Sequence, residues 1–488
     1  MQTGVQPVDS RSRSAAELTG RSARELAQRI GDGELTAVEV VRAHIARITA
    51  VNPALNAVCV PRFEAALTEA RAADENRARG EPLGPLHGVP ISVKECLDLA
   101  GTPSTFGMAS RRAAVAERDE LHVARLRRAG AIVLGKTNVA QALLYFETDN
   151  PVYGRTQNPW AAARTPGGSS GGEAAAIATG LSAGGVGSDG GGSIRVPAHF
   201  SGICGLKPTP GRVPATGHFP PCAGPFALTG VVGPMARTVD DVQTLLEVMA
   251  GPDIGDPNGH PVPFAALRSL PPGTRVGVFE DDGEVPVTAE TREAVRRAAR
   301  WLADAGCDVE SFRPEGLEEA RVLWWEIFGR ASRLILEPMV EGRDAEVHPN
   351  LVEFLDWTRR TPKLTAERLL EVEILRDLLK SRVLAQMTRY PLLLCPVAPI
   401  PAFRHGERTW TIEGKTVHYL DAWRYTAWFN LLQNPGMAVP VLQTAEGLPV
   451  GVQLVAAPWQ EALTLAAARV VEQSRGPWLP PPAPFGTI

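Results

Sequence analysis

Two glycine-rich runs hold the residues best suited to chemistry. GGSSGG at 167–172 carries Ser169 and Ser170, and DGGGSIR at 189–195 carries Ser193. Glycines ahead of Ser193 let successive backbone N–H groups converge on a point that side chains would otherwise obstruct, which is the nest an oxyanion requires. A serine at the end of such a nest is placed to attack the carbonyl whose oxygen sits there. The chemistry suggested is acyl transfer; the plainer alternative is a glycine-rich structural loop. Two other patterns overlap these runs. The G-x-S-x-G of 167–171 matches a nucleophile elbow, but that turn needs a strand immediately before it, and NPWAAARTP does not read as one. The G-x-G-x-x-G of 185–190 matches a pyrophosphate cradle, which should open a helix. The residues that follow, GGSIRVP, are read as too rich in glycine, and too close to Pro197, to begin one.

A serine nucleophile needs a base. His87, His122, His199 and His218 are scattered, and each reads more simply as a surface or packing residue. His199 lies six residues from Ser193, so spacing leaves it open. Lys94 sits in the apolar run GVPISVKECL, where desolvation would lower its pKa into the range of a working base. A solvated lysine is the alternative there.

These residues need elements to position them. Apolar spacing predicts helices on either side of the 31–33 turn, with Thr36 and Glu39 as a capping box for the second. Strands are expected at 88–97 and 131–135, with a helix ending at 130 between them, and one short helix at 173–181 interrupts the Gly/Ser/Ala-rich stretch 166–210. A further β-α-β unit spans 275–312, then a long helix 366–387, strands at 390–396 and 450–455, and a helix running to 472. This alternation predicts an α/β fold. The closing PWLPPPAPFG reads as an extended surface tail.

Composition bounds the rest. The 488 residues allow about three domains by length alone, but no linker separates independent units. With Lys+Arg 50 and Asp+Glu 54 the net charge is −4, giving no electrostatic reason to expect nucleic acid or an anionic membrane as partner. Six cysteines without a C-x-x-C pair signal neither a zinc ribbon nor a disulfide scaffold, so a reducing compartment is expected. No apolar leader opens the chain, and no run of about 18 apolar residues could span a bilayer. A soluble, cytoplasmic protein is the expectation. Glycine (47) and proline (42) exceed average usage, and eleven of the glycines fall within 167–192.

GGSSGGEAAAIATG, SDGGGSIRVPA and GICGLKPT resemble the amidase signature enzymes, serine hydrolases with a Ser–Ser–Lys triad, and the two serines are 24 residues apart as in that family. The resemblance extends over roughly 20–473, through PLHGVPISVKE, GKTN, TDNPVYGRTQNPW, FNLLQNPGMAVPV and GLPVGVQLV. It implies one large α/β domain over 1–488 with a central mixed, twisted sheet covered by helices. Within it, 88–250 would be the signature core, 251–390 a variable substrate-facing segment and 391–473 the closing strands and helix. It further implies that Ser193 is the nucleophile, Ser169 a bridging serine in a cis peptide arrangement, and Lys94 the general base. The backbone N–H groups of Gly190, Gly191, Gly192 and Ser193 would form the oxyanion hole. Asp189 and Arg195 would brace that loop, and Ser170 and Thr148 would add supporting hydrogen bonds. Neither cofactor nor metal is called for.

The segment TGHFPPCAGPFALTG after the signature resembles the hydrophobic-substrate branch, similar to bacterial relatives of fatty acid amide hydrolases, aryl acylamidases and urethane-cleaving amidases. The expected partner is a small-molecule amide, carbamate or ester, acting on a monomer or homodimer. The alternatives are a glutamine amidotransferase subunit working on charged tRNA, which usually carries an SRYG…SSLDQ-like stretch at this place, and a non-catalytic binding subunit. Aromatic clusters at 324–328 and 423–429 read as core first and pocket lining second. Gln141, where relatives often have Glu, is expected to affect local packing.

Overall fold

The computed structural model describes residues 14–486. The reading that no apolar leader opens the chain falls largely on residues 1–13, outside the described residues. The first helices follow their caps. Ser22 accepts from Glu25 N ahead of Ala23–Gly31, and the Thr36/Glu39 capping box opens Ala37–Leu55.

Thirteen strands are present among the described residues: β1 (Val58–Pro61), β2 (Pro90–Lys94), β3 (Ile132–Thr137), β4 (Gly184–Asp189), β5 (Cys204–Lys207), β6 (Val231–Ala236), β7 (Arg275–Val278), β8 (Asp308–Ser311), β9 (Leu392–Pro396), β10 (Thr409–Ile412), β11 (Lys415–His418), β12 (Gly436–Gln443) and β13 (Pro449–Ala456). Eleven of them form one mixed sheet in the order β1-β3-β2-β4-β6-β5-β12-β13-β9-β7-β8, and β10 pairs with β11 in a separate hairpin. The central strands β2, β3, β4, β5, β6 and β9 are buried along their whole length, as expected of a sheet covered on both faces. The chain is a single α/β domain.

β2 and β4 run parallel, Val93 beside Val186, so their carboxyl ends open onto the same side. In such sheets ligands bind beyond those ends. Helix Gly171–Ala178 packs on this region, and its buried Glu173 receives Ser92 Oγ and Thr137 Oγ1 at 2.6 Å each, tying helix to β2 and β3. Burial pushes the Glu173 carboxyl up to about 7.

One expectation needs correction and two gain detail. A helix, Arg195–Ser201, does follow the glycines. Pro197 is its third residue, where the missing N–H would have had no intrahelical partner. The 185–190 pattern is therefore strand, turn and helix, but the anion at the helix start is the protein's own. Asp189 accepts from Gly192 N (2.7 Å), Ile194 N (3.1 Å) and Arg195 N (3.4 Å), which leaves no cradle for a pyrophosphate. The C-terminal stretch runs along the surface as read, largely exposed, and is anchored there. Trp478 Nε1 donates to Gly202 O at 2.9 Å, and Phe485 is buried with its carbonyl accepting from Arg47. Within segment 251–390, residues 275–311 supply β7, β8 and the helix Ala289–Asp304 to the sheet, and residues around Phe328, Ser332, Ile335 and Leu336 line a cavity beside Ser193.

Candidate active site

Lys94 is the last residue of β2 and is fully buried. Its Nζ lies 2.7 Å from Ser169 Oγ, 2.9 Å from Ser188 Oγ and 3.3 Å from Ser188 O. Burial pushes its ammonium down to about 8, because the charged form loses its hydration inside the protein. Ser169 stands on a turn whose Gly168–Ser169 peptide is cis. That turn is clamped by Thr148, whose Oγ1 donates to Gly167 O (2.8 Å) and accepts from Gly171 N (3.1 Å). Ser170 N donates to Ser193 O at 3.2 Å, and Ser170 Oγ lies 3.3 Å from Ser188 O, so both glycine-rich runs are stitched together.

Ser193 follows β4 on the turn 190–193. Asp189 and Arg195 brace this turn. Their carboxylate and guanidinium pair at 3.0 Å in complete burial, and Arg195 also reaches Thr426 O, Asn430 Oδ1 and Gln453 Oε1. Burial by itself would raise the Asp189 carboxyl, but Arg195 and the backbone N–H donors hold it well below the ordinary carboxylate range. Among the described residues no hydrogen bond engages the N–H groups of Gly190, Gly191 or Ser193. Gly192 differs from its sequence reading. Its N–H is committed to Asp189 Oδ1, so one of the four expected oxyanion donors is turned into the brace.

The glycines are needed for a second reason. Trp324 and Phe328 stack at 4.6 Å and lie over the turn, with Trp324 Nε1 donating to Gly190 O at 2.9 Å. A Cβ at 190 would sit 2.8 Å from the Phe328 ring, and one at 191 would overlap Trp324. At 192 it would overlap Thr426, whose Oγ1 donates to Gly191 O at 2.6 Å, and the φ of 125° disfavours a side chain there in any case.

Ser169, Ser188, Gly190 and Ser193 face one cavity. Ser193 is 9% exposed against 1% for Ser169 and 0% for Lys94, so it is the serine a ligand in the cavity meets first. The remaining wall is mainly apolar, from Phe106, Leu143, Leu144, Phe226, Phe328, Ile335 and Leu336. Of the two aromatic clusters, Phe328 alone lines the cavity, while Trp423, Trp428 and Phe429 are core.

His199 is not near this chemistry. It is buried, both ring nitrogens are taken by Ile400 O and Gly451 N, and burial pushes it down to about 4. His218 is different from its reading as a scattered residue. It lines the cavity, and Nε2 lies 2.9 Å from Ser188 Oγ. Neither Ser188 nor His218 was singled out from sequence. Ser188 stands beside Asp189 in a run that already holds a better nucleophile, and 30 residues separate it from its histidine. Gln141 joins the variable segment to the core, donating to Gly107 O and Glu346 O and accepting from His348 N.

Residues 39–465 match the amidase family. The chain is 35% identical to the indoleacetamide hydrolase of Bradyrhizobium diazoefficiens, covering 93% of this chain and 86% of that protein. It is 34% identical to the acylamidase of Rhodococcus erythropolis, covering 94% and 96%. Among solved structures, a bacterial aryl acylamidase of the amidase signature family superposes with a TM-score of 0.83 at 27% identity, covering 94% of this chain and 96% of that one. With residues 39–465 matched and relatives of this identity spanning nearly its whole length, the chain belongs to the amidase signature family and is a hydrolase of amide C–N bonds.

Proposed function

We propose that this amidase cleaves small hydrophobic aryl or acyl amides through a Ser193–Ser169–Lys94 relay, with esters and carbamates as further substrates. The contact between buried Lys94 Nζ and Ser169 Oγ at 2.7 Å carries this reading. Neutral Lys94 takes the Ser169 proton while Ser169 takes that of Ser193, whose Oγ attacks the substrate carbonyl. The developing oxyanion is met by N–H groups of the Gly190–Ser193 turn. As the C–N bond breaks, Ser169 protonates the leaving amine, which an amide demands because its anion is a very poor leaving group. Water then attacks the acyl-enzyme, gives its proton into the same relay, and frees the acid and Ser193. Esters need less help from the acid. A carbamate differs by one oxygen at the acyl carbon, and the carbonic or carbamic acid released on hydrolysis loses carbon dioxide.

The lining supports hydrophobic substrates over glutamine. Among the described residues no lysine or arginine lines the cavity to pair with an α-carboxylate, and the Asp189 carboxylate there is already held by Arg195. The test is a hydrolysis panel of anilides, fatty amides, aryl acetamides, dicarbamates and glutamine, together with fluorophosphonate labelling. The apolar amides should turn over, and wild type but not Ser193→Ala should be labelled. Activity confined to glutamine, or labelling that survives Ser193→Ala, overturns the proposal.

A further inference from the structure

A neutral lysine amine has two N–H donors and one lone pair. Lys94 Nζ has three oxygen neighbours: Ser188 O, Ser188 Oγ and Ser169 Oγ. A carbonyl can only accept, so one N–H goes to Ser188 O. The second N–H and the lone pair are divided between two hydroxyls, and the division depends on which way the Ser188 hydroxyl points. His218 settles that. Its Nδ1 lies 2.8 Å from Pro220 O, which can only accept, so Nδ1 carries the hydrogen. In the neutral ring Nε2 is then a bare acceptor, 2.9 Å from Ser188 Oγ. Ser188 gives its proton to His218 and its lone pair to Lys94. The Lys94 lone pair is left facing Ser169, the direction in which a proton must travel for Ser169 to activate Ser193.

We infer that His218, acting through Ser188, is a positioning residue that aims the Lys94 lone pair at Ser169, and that protonating His218 disables the relay. The inference rests on Lys94 being the base. In the imidazolium both ring nitrogens donate. Ser188 then loses its acceptor, and its proton turns to the Lys94 lone pair in competition with Ser169. The groups facing His218 are Cys222 on its own loop, Cys96 just past β2 (Sγ 3.6 Å from Nε2), Lys94 itself, and Glu120 at the start of helix Leu121–Arg128. Burial and Lys94 oppose the imidazolium while Cys222 and the Pro220 carbonyl favour it, leaving His218 above the ordinary histidine value.

The experiment measures kcat and KM against pH, on the best anilide of the panel, for wild type, His218→Leu, His218→Gln, and both changes in a Ser188→Ala background. A glutamine amide can accept from Ser188 and donate to Pro220 O without titrating. His218→Leu should lower kcat at least about tenfold with a smaller effect on KM, and His218→Gln should restore most of it. On the acid side, the wild-type kcat/KM should fall with the uptake of two protons, and that of His218→Gln with the uptake of one. In the Ser188→Ala background His218→Leu should cost little more. An unchanged acid limb in His218→Gln overturns the inference, as does an equal loss from His218→Leu with and without Ser188, which would mark a change of cavity shape. The glutamine variant decides the matter if the leucine variant does not fold. Lys94→Ala run alongside separates the two failures, since full activity there would remove the base reading itself.

Discussion

At the scale of single residues, burial is what fits Lys94 for the proposed role of base. Lys94 is fully enclosed, and its folded pKa of about 8 lies below the 10.5 of a free lysine, so a neutral amine is available near physiological pH. In the proposed relay, activity depends on that neutral form. The rate should therefore rise as pH climbs through about 8 and level above it, checked by kcat/KM over the range from about pH 6 to about pH 10. Lys94→Ala should lower kcat by about 10²–10⁴-fold, the usual contribution of a positioned base. Lys94, Ser169 and Ser193 could be picked out in the chain because glycine runs and an apolar strand surround them. Ser188 and His218 could not. Their roles come from one contact across 30 residues of chain, and neither has neighbours in sequence that mark it.

At the scale of elements, the same glycines that signal the site hide the strand that carries it. GGVGSD has almost no β-forming side chains, so β4 is invisible to propensity, yet it lies at the centre of the sheet. Glu173, Met235, Ser170 and Ile194 occupy the space where Cβ atoms would go, which is why glycine stands at 185 and 187. Better-marked strands such as β2, β3, β9 and β13 were readable from their β-branched and leucine runs. The helix after Ser193 was not, because proline and glycine argue against helix until its first turn is held by Asp189. The turn around Ser169 depends in the same way on a side chain from elsewhere. Thr148→Val keeps the shape and removes both hydrogen bonds to Gly167 O and Gly171 N. It should lower stability by about 1–3 kcal/mol, read by chemical denaturation, and lower kcat as Ser169 loses its fixed position.

At the scale of the whole molecule, the cavity is assembled from parts distant in the chain: Phe106 and Leu144 before the first serine, the 218–231 loop after the second, and Phe328 to Leu336 from the variable segment. Phe328 is the aromatic residue that both covers the Gly190 backbone and limits the cavity. Phe328→Ala should shift kcat/KM toward bulkier acyl groups by about 10-fold or more relative to acetyl, measured on a homologous anilide series. By itself the sequence determined the α/β class, the reaction family and the three residues of the proposed relay, because those depend on residue types held at short, fixed spacings. The tertiary structure decided which of the proposed oxyanion donors are free, which histidine meets the Ser188 hydroxyl beside Lys94, and which residues line the cavity. Each of those is a matter of how hydrogen bonds and volume are shared among segments that meet only when the sheet closes.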